Sequence, residues 1–101
     1  MYATVRETFY EPRQPGGGRA QLEAFAAFRA RLPGFVGSLA VAAGDSRVVT
    51  LALWESEERA SAALALLEPE AQRVFGATRA PPSRVIAQGP VLDVANAFRR
   101  S

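Results

Sequence analysis

The chain has 101 residues. This length is near the commonest size for one domain and too short for two, so we expect a single domain spanning residues 1–101. It contains no cysteine and no histidine, which excludes a disulfide framework, a thiolate nucleophile, a histidine base and the usual haem and zinc ligands. The formal net charge is only +2, and all 12 cationic side chains are arginines scattered along the chain. Because nucleic-acid binding needs such charges clustered on one face, we predict no nucleic-acid partner.

The hydropathy pattern argues against a membrane protein. No run approaches the roughly 20 apolar residues of a membrane-spanning helix. The N-terminal segment Met1–Arg6 also lacks the apolar stretch of a signal peptide. We therefore expect a cytoplasmic protein without a membrane partner. The composition further predicts no metal site and no bound cofactor.

The first third of the chain predicts a strand, a loop and a helix. Residues 2–10 alternate in the manner of a β-strand. Residues 11–19 are rich in proline and glycine, and no Gly-Lys-Ser/Thr follows the triple glycine, so a flexible loop is favoured over a phosphate-binding one. Residues 20–32 predict a helix that Pro33 and Gly34 end. Its apolar side chains recur every three or four residues at Leu22, Phe25, Phe28 and Leu32.

The middle of the chain predicts a β-hairpin. Residues 35–43 and 48–54 both alternate in the manner of strands. Only the short turn Gly44–Arg47 separates them, so they should pair antiparallel.

A second helix is predicted after the hairpin. Ser56 is a natural N-cap, and Glu57 and Glu58 place negative charge at the positive end of the helix dipole. Pro69 removes a backbone donor, so we expect a break or kink near Glu68.

The end of the chain predicts a loop at residues 77–83 and a last strand at residues 84–96 that Pro90 interrupts. The order of elements, strand-helix-strand-strand-helix-strand, is that of a ferredoxin-like α+β fold with a four-stranded antiparallel sheet and both helices on one face. In this topology the first and third strands are central, and the proline falls on an edge strand.

The two faces of the sheet differ in composition. One face carries mainly branched apolar residues, and we expect the helices to pack on it: Val5, Phe9, Leu39, Val41, Val49, Leu51 and Leu53. The other face mixes small, hydroxylated, charged and aromatic residues: Tyr2, Thr4, Arg6, Ser38, Ala40, Ala42, Thr50, Ala52 and Trp54. Such a mixture favours a ligand pocket or a partner interface over a solvated surface. Pairing two copies would hide Trp54 and Tyr2, which predicts a homodimer.

Two segments resemble the antibiotic biosynthesis monooxygenase family. They are Leu-Pro-Gly-Phe-Val-Gly-Ser at 32–38 and Leu-Trp-Glu-Ser-Glu-Glu at 53–58, with the hairpin between them. The resemblance covers roughly residues 1–96 and implies a dimeric α+β barrel. It also implies an activity among those of the family, whose members include cofactor-independent monooxygenases that oxidise polycyclic phenols to quinones, haem-degrading enzymes and proteins without an assigned activity.

The family's functional positions are only partly kept. Trp54 matches the pocket tryptophan at the end of the third strand. The quinone-forming enzymes have an asparagine four residues earlier, where this chain has Thr50, and a tyrosine early in the following helix, at about Ala60. The haem-degrading members need a histidine on that helix, and this chain has none.

The sequence leaves two functions open. One is a cofactor-independent monooxygenase-like protein that acts on a small planar aromatic or phenolic molecule in a pocket between helices and sheet. Its catalytic residues would be Trp54 for stacking, Arg6 for stabilising an anion and Thr50 for hydrogen bonding. Its ligand would also contact Tyr2, Thr4, Ser38, Ala52 and Trp54. The other is a small-ligand-binding or interaction module without turnover, in which Arg6 pairs with Glu7 or Glu55 on the surface and Trp54 is core or dimer contact.

Overall fold

The computed structural model describes residues 1–10, 18–44, 46–76 and 83–93. The predicted loops at 11–17 and 77–82, the turn residue at 45 and the predicted strand residues 94–96 lie outside these ranges. The described elements are β1 (Tyr2–Phe9), α1 (Arg19–Ala30), β2 (Phe35–Ala42), β3 (Arg47–Trp54), α2 (Glu57–Phe75) and β4 (Arg84–Pro90).

The four strands form one antiparallel sheet in the order β2-β3-β1-β4. This order confirms the predicted topology, with β1 and β3 central and the proline-containing strand at an edge. Ala43 N–H donates to the Arg47 carbonyl at 2.8 Å, which closes the predicted hairpin between β2 and β3. Residues Thr4, Ala52 and Ser38 lie side by side across the three strands, so they share one face of the sheet.

The two segments that carry the family resemblance meet in space. The Glu55 N–H donates to the Gly34 carbonyl at 2.9 Å, and the Phe35 and Trp54 rings pack edge to face with centroids 5.6 Å apart. Gly34 has a φ of 84°, and a Cβ there would lie 2.5 Å from the Arg59 Cβ. Only glycine fits this junction between α1 and β2, because both the backbone conformation and the space exclude a side chain.

The second helix begins as predicted and continues further than predicted. The Ser56 hydroxyl accepts a hydrogen bond from the Arg59 N–H at 3.2 Å, which is an N-cap bond. The expected break near Glu68 is wrong, because α2 runs through Pro69 to Phe75. The Pro69 side chain is exposed, so its ring meets solvent, and the packed face of α2 on both sides of it holds the helix together.

The helices pack on the opposite face of the sheet from the one expected. The buried strand residues are Thr4, Arg6, Thr8, Thr50, Ala52 and Trp54. The core that covers them is completed from α1 and α2 by Phe25, Ala60, Ala63, Leu67, Ala71 and Phe75. The prediction that the valine and leucine face meets the helices is therefore wrong. Large side chains on the helices need small ones beneath them to reach native packing density, and the threonine and alanine face supplies these.

The branched apolar residues instead form the outer sheet face, on which neither α1 nor α2 packs. Leu39, Val41 and Val36 are exposed, and Val5, Val49, Leu51 and Leu53 are half-buried. An antiparallel sheet with one covered face usually has polar residues on the other. This outer face is apolar from Leu39 to Val41 on β2 and from Val49 to Leu53 on β3, which makes it a candidate interface.

Candidate functional site

A cavity of about 390 Å³ lies between α1 and the helix-covered face of the sheet. This volume falls within the range of about 300–1,000 Å³ that is usual for small-molecule sites. The cavity is lined by α1, the C-terminal end of α2 and the three strands β1, β2 and β3. The lining residues are Thr8, Arg19, Leu22, Glu23, Phe25, Ala26, Arg29, Ser38, Ala40, Ala42, Val48, Thr50 and Phe75.

The cavity has an exposed side and a buried side. Ser38 and Ala40 on the edge strand β2 are exposed, as are Arg19 and Glu23 on α1, so a ligand can enter between them. Arg19 and Glu23 form an exposed ion pair with a separation of 3.0 Å at this side.

Two buried threonines lie on the inner side. The hydroxyl groups of Thr8 and Thr50 are the uncharged polar groups on the floor of the cavity. Polar groups placed on an otherwise apolar wall are what orient a bound small molecule. The Thr8 hydroxyl is already 2.9 Å from the Ser83 hydroxyl, which leaves Thr50 as the hydroxyl better placed to bond a ligand.

Arg29 is the buried charge of the cavity wall. It lies in the last turn of α1 and is only 6% exposed. Among the residues that the structure describes, no carboxylate or other acceptor lies within hydrogen-bond or ion-pair distance of its guanidinium. Desolvation by burial, and then the positive charge of Arg6, lower the pKa of Arg29 to about 10.

Phe25 connects this charge to a second arginine. The guanidinium carbons of Arg29 and Arg6 each lie 5.3 Å from the centroid of the Phe25 ring, within cation–π distance. Phe75 packs edge to face on the same ring with centroids 5.4 Å apart. Unlike Arg29, Arg6 is paired, because it forms an ion pair with Glu68.

The hydrogen bonds of Arg6 tie three elements together. Besides the ion pair to α2, it donates to the Ser83 hydroxyl at 3.2 Å, just before β4. Thr8 on β1 is in contact with the same hydroxyl. The alternative prediction that Arg6 pairs with Glu7 or Glu55 is wrong: Glu7 points to the outer face and binds Arg47 at 2.8 Å.

Trp54 lies below α2 and is completely buried, with 0% of its surface exposed. Its indole N–H donates to the Thr4 hydroxyl at 3.1 Å across the neighbouring strand. Both polar groups are thereby satisfied, as buried polar groups must be. In this structure Trp54 is a core residue.

The predicted site residues divide into two groups. Thr50 and Ser38 line the cavity. Tyr2, Thr4, Arg6, Ala52 and Trp54 share the same sheet face but do not line it. Arg6 is one aromatic ring away, behind Phe25. Trp54 and its neighbours occupy the opposite end of β3, so the structure does not bring the tryptophan and the cavity together.

Arg29 was not among the site residues predicted from the sequence. One signal could have found it: Arg29 follows Leu22 by seven residues and Phe25 by four, so it lies on the apolar stripe of α1. An arginine on the inner stripe of a helix is a buried charge that needs a reason.

Comparison of the sequence with models of protein families gave no match, and comparison with curated proteins gave none. Solved structures, in contrast, share the fold. The cofactor-independent oxygenase SnoaB of Streptomyces nogalater matches with a TM-score of 0.66 at 23% identity, over 92% of this chain and 95% of that one. ActVA-Orf6, a monooxygenase of Streptomyces coelicolor in complex with the ligand nanaomycin D, matches with a TM-score of 0.63 at 17% identity, over 93% and 90%.

A protein of unknown function from Nitrosomonas europaea matches equally well, with a TM-score of 0.65 at 15% identity over 93% of this chain and 91% of that one. The chain therefore has the ferredoxin-like fold of the antibiotic biosynthesis monooxygenases, which confirms the resemblance at the level of the fold. Among the described helices, none is long and apolar enough to cross a membrane.

Proposed function

We propose that this protein is a cofactor-independent monooxygenase-like enzyme that acts on a small planar aromatic or phenolic molecule. The observation that carries the proposal is the cavity of about 390 Å³ between α1 and the sheet, with a buried arginine and buried hydroxyls on an apolar wall. Its fold is shared with SnoaB and ActVA-Orf6, which supports this class of activity.

Oxidation without a cofactor requires a substrate that supplies its own electrons. A phenol or anthrone loses a proton to give an anion that its rings stabilise, and this anion reduces O₂. For an anthrone, the CH₂ group becomes C=O: one oxygen atom enters the new carbonyl and the other leaves as water with both hydrogens. The protein has to hold the anion, position it and exclude water.

The cavity offers a group for each of these tasks. Thr50 can donate a hydrogen bond to the substrate oxygen, and Arg29 can stabilise the negative charge. Ser38, near the entrance, can bond a second polar group of the substrate. Phe25 and Phe75 supply the apolar wall against which a planar ring lies. Trp54 and Arg6 act through the fold, Trp54 as core and Arg6 as support for Phe25.

Oxygen consumption tests the proposal. We expect a panel of anthrones and phenols to include a substrate that consumes one O₂ per molecule without added cofactor. In Thr50→Val, which keeps the shape and removes the hydroxyl, the rate should fall by about 100-fold, as for loss of one group that stabilises the transition-state anion. Thr50→Ser restores the hydroxyl and should recover most of the rate. No oxygen uptake above the buffer rate with any member of the panel would contradict an oxygenase.

A ligand-binding module without turnover is the second candidate. The residues that favour it are Thr50 and Ala60, which stand where quinone-forming relatives carry asparagine and tyrosine, and Trp54, which is buried away from the cavity. Saturable binding of an aromatic ligand in the absence of any oxygen uptake would establish this function instead.

We also propose that two copies pair through the outer sheet face. The exposed side chains of Leu39 and Val41 and the half-buried Val49, Leu51 and Leu53 form a continuous apolar surface. A twofold interface places the same surface on both copies, so a self-complementary apolar patch suits it. This pairing would complete the dimeric α+β barrel that the sequence resemblance implies.

A further inference from the structure

Among the residues that the structure describes, Arg29 has no partner that accounts for its burial. Only 6% of the residue's surface is exposed, and among the described residues its guanidinium has no hydrogen-bond acceptor. A buried charge is usually paired, because desolvation costs more than a single ring contact returns. Here the ring contact is the one with Phe25.

The charged side chains near Arg29 do not balance its positive charge. Arg6 contacts the same Phe25 ring, but its charge is already balanced by the carboxylate of Glu68. The carboxylate of Glu23 also lines the cavity, but it pairs with Arg19 at the exposed side. Arg29 is thus the one cation of the cavity wall, within the described residues, whose charge is not balanced by a carboxylate.

We infer that Arg29 is an anion-recognition residue and that the preferred ligand is a planar aromatic carboxylate. The carboxylate would take both N–H groups of the guanidinium in a bidentate pair. The ring system would lie against the apolar part of the wall, formed by Leu22, Ala26 and Phe75. This inference names a substrate class for the site of the proposed function, but it concerns binding and does not depend on turnover.

Equilibrium binding of two probes of equal shape tests the inference. Naphthoate carries the carboxylate, and naphthamide replaces it with a neutral amide of the same size. The wild-type protein should bind naphthoate at least about tenfold more tightly than naphthamide at neutral pH. Arg29→Met keeps a long apolar side chain and removes the charge, so the two probes should bind it equally. Arg29→Lys keeps the charge without the bidentate geometry and should recover part of the preference.

Arg31→Met is the matched control. Arg31 caps the same helix and is exposed, but it does not line the cavity, so its loss should leave the preference unchanged. Equal binding of the two probes by the wild type, or a preference that survives in Arg29→Met, would overturn the inference. Thermal unfolding of each variant checks that the fold is intact. The rise in Tm at a saturating concentration of naphthoate or naphthamide gives a second measure of binding.

The outcome is separable from that of the proposed function. An Arg29-dependent preference for naphthoate without oxygen uptake would leave the inference standing and make the protein a binding module. Oxygen uptake by the wild type, together with equal binding of naphthoate and naphthamide, would leave the oxygenase standing and remove the role of Arg29 as the anion site.

Discussion

At the scale of single residues, we expect Arg29 to lower the stability of the folded protein. Folding moves its guanidinium out of water without giving it a carboxylate partner among the described residues, and its pKa falls to about 10 as a result. Arg29→Met removes this cost while it keeps the packing of the side-chain stem. We expect the free energy of unfolding at pH 7 to rise by about 1–2 kcal/mol, or roughly 4–16 °C in Tm. A fall in Tm would mean that Arg29 supports the fold.

The same residue gives a prediction about pH. The folded chain binds the Arg29 proton more weakly than the unfolded chain does, so protonation favours unfolding. The cost is therefore full below about pH 10 and is lost as the pH rises through that value toward the ordinary arginine pKa. The stability difference between Arg29→Met and the wild type should be positive at pH 7 and shrink above pH 10. The other charged groups around this site are Arg6 and Glu68 across Phe25, and Arg19 and Glu23 on α1, and they are present in both proteins. The repulsion between Arg6 and Arg29 is lost in the variant and forms part of the same difference.

Trp54 and Thr4 form the second residue-scale prediction. Trp54→Phe removes the indole N–H and part of the buried ring, and leaves the Thr4 hydroxyl without its donor. We expect a loss of about 2–4 kcal/mol in the free energy of unfolding. Thr4→Val alone leaves the indole N–H unsatisfied and should cost about 1–3 kcal/mol. In the double variant neither polar group remains unpaired, so its loss should be smaller than the sum of the two single losses; an additive result would contradict the hydrogen bond.

At the scale of elements, the start of α2 depends on one hydroxyl. Ser56 accepts from the Arg59 N–H, and Glu57 and Glu58 follow in the first turn. Ser56→Ala should lower the free energy of unfolding by about 1 kcal/mol because that N–H loses its partner. Ser61→Ala is the control: Ser61 is exposed within the same helix, where alanine is the better helix former, so this variant should be as stable as the wild type or slightly more so. Equal losses in both variants would show that the cap does not contribute.

The elements themselves could be predicted from the sequence, but the orientation of the sheet could not. The period-2 pattern located β1, β2 and β3, and the cap at Ser56 located the start of α2. The last strand was also predicted, but it ends at Pro90 and does not continue beyond it. Each face of the sheet carries few charges, Arg6 on one and Glu7 and Arg47 on the other, so alternation alone does not decide which face meets the helices. The more hydrophobic face, with Leu51 and Val49, was the obvious choice. Packing decides otherwise, because Phe25 and Leu67 on the helices fit over alanines and threonines.

The candidate site could be predicted from the sequence only in part. Strand parity placed Thr50 and Ser38 on one face of the sheet, and both line the cavity on that face. The same parity placed Trp54 on that face, but parity gives no position along the strand relative to α1, and Trp54 lies at the far end. Arg29 was missed because a charged residue at the end of a helix is usually taken as exposed, favourable to the helix dipole and nothing more.

At the scale of the whole molecule, the proposed pairing of outer faces predicts the mass in solution. A chain of 10.8 kDa should sediment at roughly twice that mass at micromolar concentration. Val41→Lys places a charge in the middle of the apolar face and should shift the protein to the monomer. Leu66→Lys is the matched control, since Leu66 is 52% exposed and Val41 50%, but Leu66 lies on α2, on the helix side of the sheet.

These two variants also separate assembly from the site. The cavity is lined by α1, the end of α2 and the helix-covered face of the sheet, whereas Val41 projects from the opposite face. If the two faces are independent, monomeric Val41→Lys should keep the preference for naphthoate over naphthamide, provided that circular dichroism shows a folded chain. Its Tm should fall and no longer depend on protein concentration, because a dimer gains stability by mass action and a monomer does not. A wild-type protein that sediments as a monomer would contradict the pairing, and an unchanged mass for Val41→Lys would place the interface elsewhere on the molecule.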